Sequence, residues 1–261
     1  MKIAEQFDDR GYAVVRKLFS QNEIDYIAGF IDCIYQQWLC ETGDAVSDEQ
    51  LINMHSLTSP KYFEGRDEER IRFFEAIAPQ KLSELIESMF GDGIYLHNTQ
   101  LFVNPHQGKK NPCWHRDLQY SPIDDSVQAR EQKTMLTLHI RIPLVSEKGV
   151  ELVPYTHKRW DSELEKQVRF ELNGHTNYEQ LPGTVLIELE PGDVLIFSAQ
   201  MIHRGNYILN PIRKALDLCV GKHHPLTSKF IDVTMLPSPE EIGCIRNNQW
   251  YVLAREIALM T

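Results

Sequence analysis

Through roughly the first ninety positions, apolar side chains recur mostly at helical spacing. Ile24, Ile27, Ala28, Ile31, Ile34 and Tyr35 fall three or four residues apart, the pattern of a helix with one buried stripe. Ser20 and Glu23 precede them as an S-x-x-E capping box, in which each side chain satisfies a backbone N–H that the first helical turn leaves bare. A helix is therefore predicted to about Leu39. Arg70 to Ala78 and Lys81 to Met89 repeat the pattern, and Gly91-Asp92-Gly93 stops it. Tyr12 to Val15 reads as the one short strand of this stretch. Residues 42 to 66 are polar and irregular, a predicted loop or lid.

Beyond Gly93 the period shortens. Ile94 to Val103, Thr134 to Leu144, Val150 to Val153, Thr184 to Leu189, Val194 to Phe197 and Lys214 to Val220 read as strands bounded by Pro and Gly punctuation. Pro191-Gly192-Asp193 is a tight turn between two of them, and Gln249 to Met260 is a closing helix. Many short strands without intervening βαβ helices predict a mainly β fold with flanking α-helices, its core a double-stranded β-helix of the jelly-roll or cupin-like kind. One domain over 1–261 is expected: a mostly helical N-terminal buttress (1–92), the jelly-roll core (93–225) and a C-terminal extension with a helix (226–261).

Composition narrows the partners. The 261 residues are 42% hydrophobic and 25% charged, as in a soluble globular chain. A net charge of −10 repels phosphate backbones, so no nucleic-acid partner is expected. The five cysteines include no C-x-x-C pair, which argues against a disulfide framework or a thiolate zinc site and for a reducing cytoplasmic setting. The opening MKIAEQFDDRG lacks the apolar stretch of a signal peptide. No run approaches the ~18 apolar residues of a membrane span, so no membrane partner is expected and a small-molecule substrate is. One sequence leaves the oligomeric state open.

Trp114-His115-Arg116-Asp117 carries the first chemistry. On an extended segment positions i and i+2 share a face, so His115 and Asp117 can reach one ion. Imidazole with carboxylate suits a borderline divalent metal such as Fe(II). With ten histidines, an H-x-D arises by chance in roughly half of chains this long, so the motif decides nothing alone. In the run ELEPGDVLIFSAQMIHRGN (188–206), a turn and a buried strand lead to His203. That residue would complete two imidazoles and one carboxylate on a single face of the metal, leaving positions for co-substrate and dioxygen. Arg213 opens the strand RKALDLCV. Its guanidinium can grip a carboxylate through paired hydrogen bonds.

Together WHRD, EPGDVLIFSAQMIHRGN, IRKAL, the segment EKGVELVPYTHK (147–158) and the opening DDRGYAVVRKLFSQNEID resemble the phytanoyl-CoA dioxygenase family of Fe(II)/2-oxoglutarate oxygenases. The likeness runs over roughly residues 5 to 225, in the expected order. It implies iron held by His115, Asp117 and His203, and 2-oxoglutarate clamped by Arg213. It further implies that Asn98 and Gln100, and Thr137 and His139 on a later strand, lie on the co-substrate side. The implied reaction uses dioxygen to hydroxylate an unactivated C–H bond of a small metabolite, releasing succinate and carbon dioxide. Gly205 departs from the serine that the family often places two residues after the distal histidine, which leaves the second donor to the co-substrate carboxylate open. Tyr120, in a second candidate lid at 118–132, and Arg116 and Arg141 are candidate substrate contacts. With Lys109, Lys110 and Arg204 the two arginines would form a cationic rim that favours an anionic substrate. Two other classes stay open: a non-oxygenase metal enzyme (isomerase or hydrolase), which needs no dicarboxylate clamp, and a non-catalytic binding domain on the same β-scaffold.

Overall fold

The computed structural model describes residues 2–43, 52–104 and 110–260. Part of the predicted 42–66 lid, and His106 to Lys109 of the expected cationic loop, therefore lie outside the described residues. The N-terminal part holds α1 (Ile3–Arg10), β1 (Tyr12–Val15), α2 (Gln21–Thr42), β2 (Asn53–His55), α3 (Asp67–Ile77) and α4 (Gln80–Phe90). The central part holds β3 (Ile94–Val103), α5 (Asp125–Glu131), β4 (Thr137–Pro143), β5 (Glu147–Leu152), α6 (Glu163–Arg169), β6 (Val185–Leu189), β7 (Val194–Ser198), β8 (His203–Gly205) and β9 (Lys214–Lys222). Helices α7 (Pro225–Ser228), α8 (Pro239–Cys244) and α9 (Gln249–Ala258) follow.

The strands form a six-stranded sheet in the order β1-β7-β4-β9-β3-β2 and a three-stranded sheet in the order β6-β5-β8. Every pairing is antiparallel. This is the jelly-roll architecture expected from the strand pattern. Side-chain alternation then divides the large sheet into two faces with different work. Leu138, Ile140 and Ile142 of β4, Leu216, Leu218 and Val220 of β9, and Ile196 of β7 join the helical residues Ile24, Ile27, Ile31, Phe73 and Phe74 in the main core. The opposite face turns toward the small sheet. There Leu195 and Phe197 pack with Val150, Leu152, Ile187 and Met201, while β4 and β9 contribute His139, Arg141 and Asp217, all buried. Binding the apolar stripe to the helices thus forces a polar stripe into the space between the sheets.

Local signals account for the boundaries. At α2 the Ser20 hydroxyl accepts from the N–H of Glu23, whose carboxylate takes the Ser20 N–H at 2.7 Å. The Pro-Gly-Asp turn joins β6 to β7 at Gly192 (φ 95°), where a Cβ would stand 2.5 Å from the Phe19 carbonyl oxygen. Asp193 caps the same turn by accepting from the N–H groups of Glu190 and Lys17. Seven elements go beyond the sequence expectation: α1, β2, α5, α6, β8, α7 and α8. Helix α1 buries only Phe7, and α5 and α6 span seven residues each, too short to display a period. The expectation of a single strand before Gly93 is corrected by β2, whose polar Asn-Met-His pairs with β3 through backbone hydrogen bonds at the sheet edge. Among the described residues, no helix is long and apolar enough to cross a membrane.

Candidate metal centre

His115 and His203 are brought together by backbone alone. The N–H of each donates to the carbonyl oxygen of the other at 3.0 Å, an antiparallel bridge outside the named strands. The Asp117 N–H donates to the Ala199 carbonyl at 3.2 Å. His115 and Asp117 therefore do not lie on a full strand, as the i, i+2 reading assumed. One bridge suffices to hold the extended stretch, and a 3-10 turn begins at Asp117. Alternation sends the neighbours to the other side. Trp114 is fully buried, with its indole N–H on the Glu179 carbonyl at 2.7 Å. Arg116 is fully buried against Asp161, and Arg204 lies over the Trp114 ring and pairs with Glu151 at 2.8 Å.

One nitrogen from each of His115 and His203 and one Asp117 oxygen lie within 4.8 Å of one another. The ring orientations are set from behind. His115 Nδ1 is 2.8 Å from the Cys113 carbonyl and His203 Nδ1 is 3.0 Å from the Met201 carbonyl. A carbonyl only accepts, so Nδ1 carries a hydrogen in both rings and each Nε2 faces Asp117. Asp117 Oδ1 stands 3.2 Å from His203 Nε2 and 3.9 Å from His115 Nε2. Burial and the adjacent His203 push the His115 pKa down to about 3, which keeps that ring neutral and able to ligate. Burial would raise the Asp117 carboxyl, but His139 and His203 hold it well below the usual carboxylate range.

The second Asp117 oxygen is occupied by His139, whose Nε2 lies 2.5 Å away. His139 Nδ1 is 3.2 Å from Asp217 Oδ2, and its ring stacks on Phe197 at 4.9 Å. Both nitrogens face carboxylates, so both donate and the ring is an imidazolium. Burial opposes that charge, yet Asp117 and Asp217 raise the pKa well above the ordinary value. Asp117 thereby offers its other oxygen, Oδ1, to the side of the His115 and His203 imidazoles.

From Asp217 the polar stripe continues. Arg141 donates to Asp217 at 2.8 Å and to both oxygens of Glu147 at 2.7 Å. Glu147 in turn accepts from Arg213 Nε at 2.6 Å. Burial would raise the Glu147 carboxyl, but Arg141 and Arg213 pull it down to about 2. Arg213 is 3% exposed, yet its Nη1 is buried without a hydrogen-bond partner. A single cavity of about 570 Å³ is lined by His115, Asp117 and His203 and by Arg213 as well.

The remaining sequence candidates scatter. Gln100 and Tyr120 line the cavity; Tyr120 is largely exposed, its ring 5.4 Å from that of His115. Asn98 and Thr137 are not among the lining residues. The Asn98 carboxamide oxygen turns back on the Thr99 N–H just past a bulge in β3, and the Thr137 hydroxyl accepts from Gln200. The expected cationic rim does not form from Arg116, Arg141 and Arg204: all three are buried and ion-paired, because an unpaired guanidinium inside a protein is too costly. Arg116 does not line the cavity at all. Sequence reasoning missed Glu147, Asp217, Phe197 and Tyr207. Charged residues alternating with apolar ones in β4 and β9 were a readable signal for Asp217; for Tyr207 there was none.

A family comparison matches residues 7–215 to the description "Phytanoyl-CoA dioxygenase (PhyH)". The chain belongs to the phytanoyl-CoA dioxygenase family. That match takes in all three centre residues, the buried Arg213 and both sheets up to the start of β9. Solved structures share this family's fold. EctD from S. alaskensis, crystallised with bound Fe, is 17% identical, with a TM-score of 0.56 over 84% of this chain and 75% of its own. HygX from Streptomyces hygroscopicus, with nickel and 2-oxoglutarate bound, is 14% identical, with a TM-score of 0.55 over 84% and 86%. The carbocyclase SnoK from nogalamycin biosynthesis is 12% identical, with a TM-score of 0.55 over 84% and 83%. A comparison with curated proteins returned no match.

Proposed function

We propose that this phytanoyl-CoA dioxygenase family member is an Fe(II)- and 2-oxoglutarate-dependent oxygenase that hydroxylates an unactivated C–H bond of a small molecule. One observation carries the reading: two imidazoles and a carboxylate oxygen converge on a cavity that is also lined by a buried guanidinium with an unpartnered nitrogen. The residues fit both groups. Two nitrogens and one oxygen suit Fe(II) and leave coordination positions free. A buried, half-satisfied arginine suits the far carboxylate of a dicarboxylic acid. When bound, iron and 2-oxoglutarate together supply the oxidising power drawn from dioxygen, with succinate and carbon dioxide released.

The chain's own contribution is placement. Cys113 and Met201 carbonyls fix the imidazole tautomers, and His139 fixes which Asp117 oxygen is offered. Arg213 orients the co-substrate, itself held in direction by Glu147. Tyr120, Asn53, Gln100 and Asn111 line the cavity and would meet the substrate. The volume lies within the usual range for small-molecule sites.

Anaerobic titration of Fe(II)-loaded protein with 2-oxoglutarate, read as the visible charge-transfer band of the chelate, tests the reading. The wild type should develop the band. Arg213→Ala should need roughly 100-fold more 2-oxoglutarate, as expected for losing two charge-assisted hydrogen bonds. Failure of the wild type to bind both together would sink the assignment. Product mass then identifies the outcome: a gain of one oxygen for hydroxylation, or a loss of two hydrogens for the ring closure implied by the carbocyclase neighbour.

A further inference from the structure

Arg213 Nη1 is buried and unpartnered, which leaves a costly gap in an otherwise fully paired stripe. The space in front of it exists because residue 205 is glycine. A Cβ built there would stand 3.1 Å from Arg213 Nη1 and 3.0 Å from the Tyr207 hydroxyl oxygen. A guanidinium nitrogen and a phenol oxygen thus converge on one point above the Gly205 backbone. Its φ is not in the left-handed region, so backbone conformation does not call for glycine here; the room does. Tyr207 is part-buried, its ring 5.2 Å from the guanidinium carbon, and it lines the same cavity as Arg213. Burial raises its pKa, although Arg213 opposes this, and the phenol keeps its proton.

We propose that the Tyr207 hydroxyl is the second donor to the carboxylate that Arg213 recognises, and that Gly205 leaves the room in which the two donors meet. The proposal rests on the 2-oxoglutarate reading above and assigns a residue to its far end. Two donors side by side match the two oxygens of one carboxylate, whereas a lone guanidinium already tied to Glu147 through Nε has lost part of its fork. The alternative is that Tyr207 merely packs on Arg213 as an aromatic wall.

Tyr207→Phe separates these, since it keeps the ring and removes the hydroxyl. Binding to Ni(II)-loaded full-length protein is measured by calorimetry for 2-oxoglutarate and for pyruvate, a 2-oxo acid with no far carboxylate. The expected result is a rise of roughly tenfold or more in the 2-oxoglutarate Kd, with pyruvate unchanged. Gly205→Ala, which places a methyl group between the donors, should give the same selective loss. Equal weakening of both ligands, or no change in either, overturns the proposal while leaving the oxygenase reading intact. A wild type that binds pyruvate and 2-oxoglutarate equally overturns it too, and one that binds neither removes the oxygenase reading along with it.

Discussion

His139 illustrates how much can turn on one side chain. It was expected on the co-substrate side; it lines the cavity and also places its Nε2 on Asp117 Oδ2, the oxygen not offered to His115 and His203. Partners that orient a ligand in this way typically alter metal affinity 10–100-fold when removed. His139→Gln, which retains one donor, should weaken Mn(II) binding by roughly tenfold, measured by metal titration under equal buffer conditions. His139→Phe should weaken it further while preserving the stack on Phe197. Unchanged affinity in both would mean that Asp117 orients itself. Glu147 offers a second test at this scale. Its carboxyl, pulled from 4.5 down to about 2, contributes stability that is complete above its unfolded value and fades as pH falls from about 4.5 toward 2. Wild-type urea stability should therefore decline over that window. Glu147→Gln should be less stable at neutral pH by about 3 kcal/mol or more, since it leaves buried Arg213 without a carboxylate and Arg141 with Asp217 alone, and should show a flatter acid decline.

Single elements show what the chain makes visible. Ser20→Ala removes the N-cap of α2, leaving Glu23 tied to Lys81 at 2.6 Å. The expected loss is about 1 kcal/mol by urea denaturation, with Mn(II) affinity unchanged. That capping box, like the EPGD turn and the period of α2, was legible because local residues alone determine it. Long strands were legible for the same reason. Strand β2 was not, since Asn53, Met54 and His55 carry no alternation and their pairing depends on a neighbour supplied by distant sequence. The candidate metal residues were legible as types and as an ordered set of motifs. Their support was not: the partners of Arg213, Asp117 and Arg141 come from β4, β5 and β9, and only the folded sheets disclose that these strands share an interior.

For the molecule as a whole, the centre should couple ligand binding to stability. A ligand that binds only the folded state adds about 2.7 kcal/mol at 100 times its Kd, equivalent to a rise of roughly 5–10 °C in Tm for a chain of this size. Mn(II) with 2-oxoglutarate should produce such a rise in differential scanning calorimetry. His203→Ala should abolish it, because a site reduced to one imidazole and one carboxylate holds the metal weakly.

The pair of backbone hydrogen bonds between His115 and His203 also sets the order of events during folding. Residues far apart in sequence must find one another before either imidazole has its counterpart, and such distant closures come late. On the proposed reading, nascent or partly unfolded chains should therefore lack the grip to sequester iron, with loading expected only once both sheets have met. Amide hydrogen exchange of apo-protein at these two positions should accordingly be faster than at the central strands β4 and β9, which open only with global unfolding.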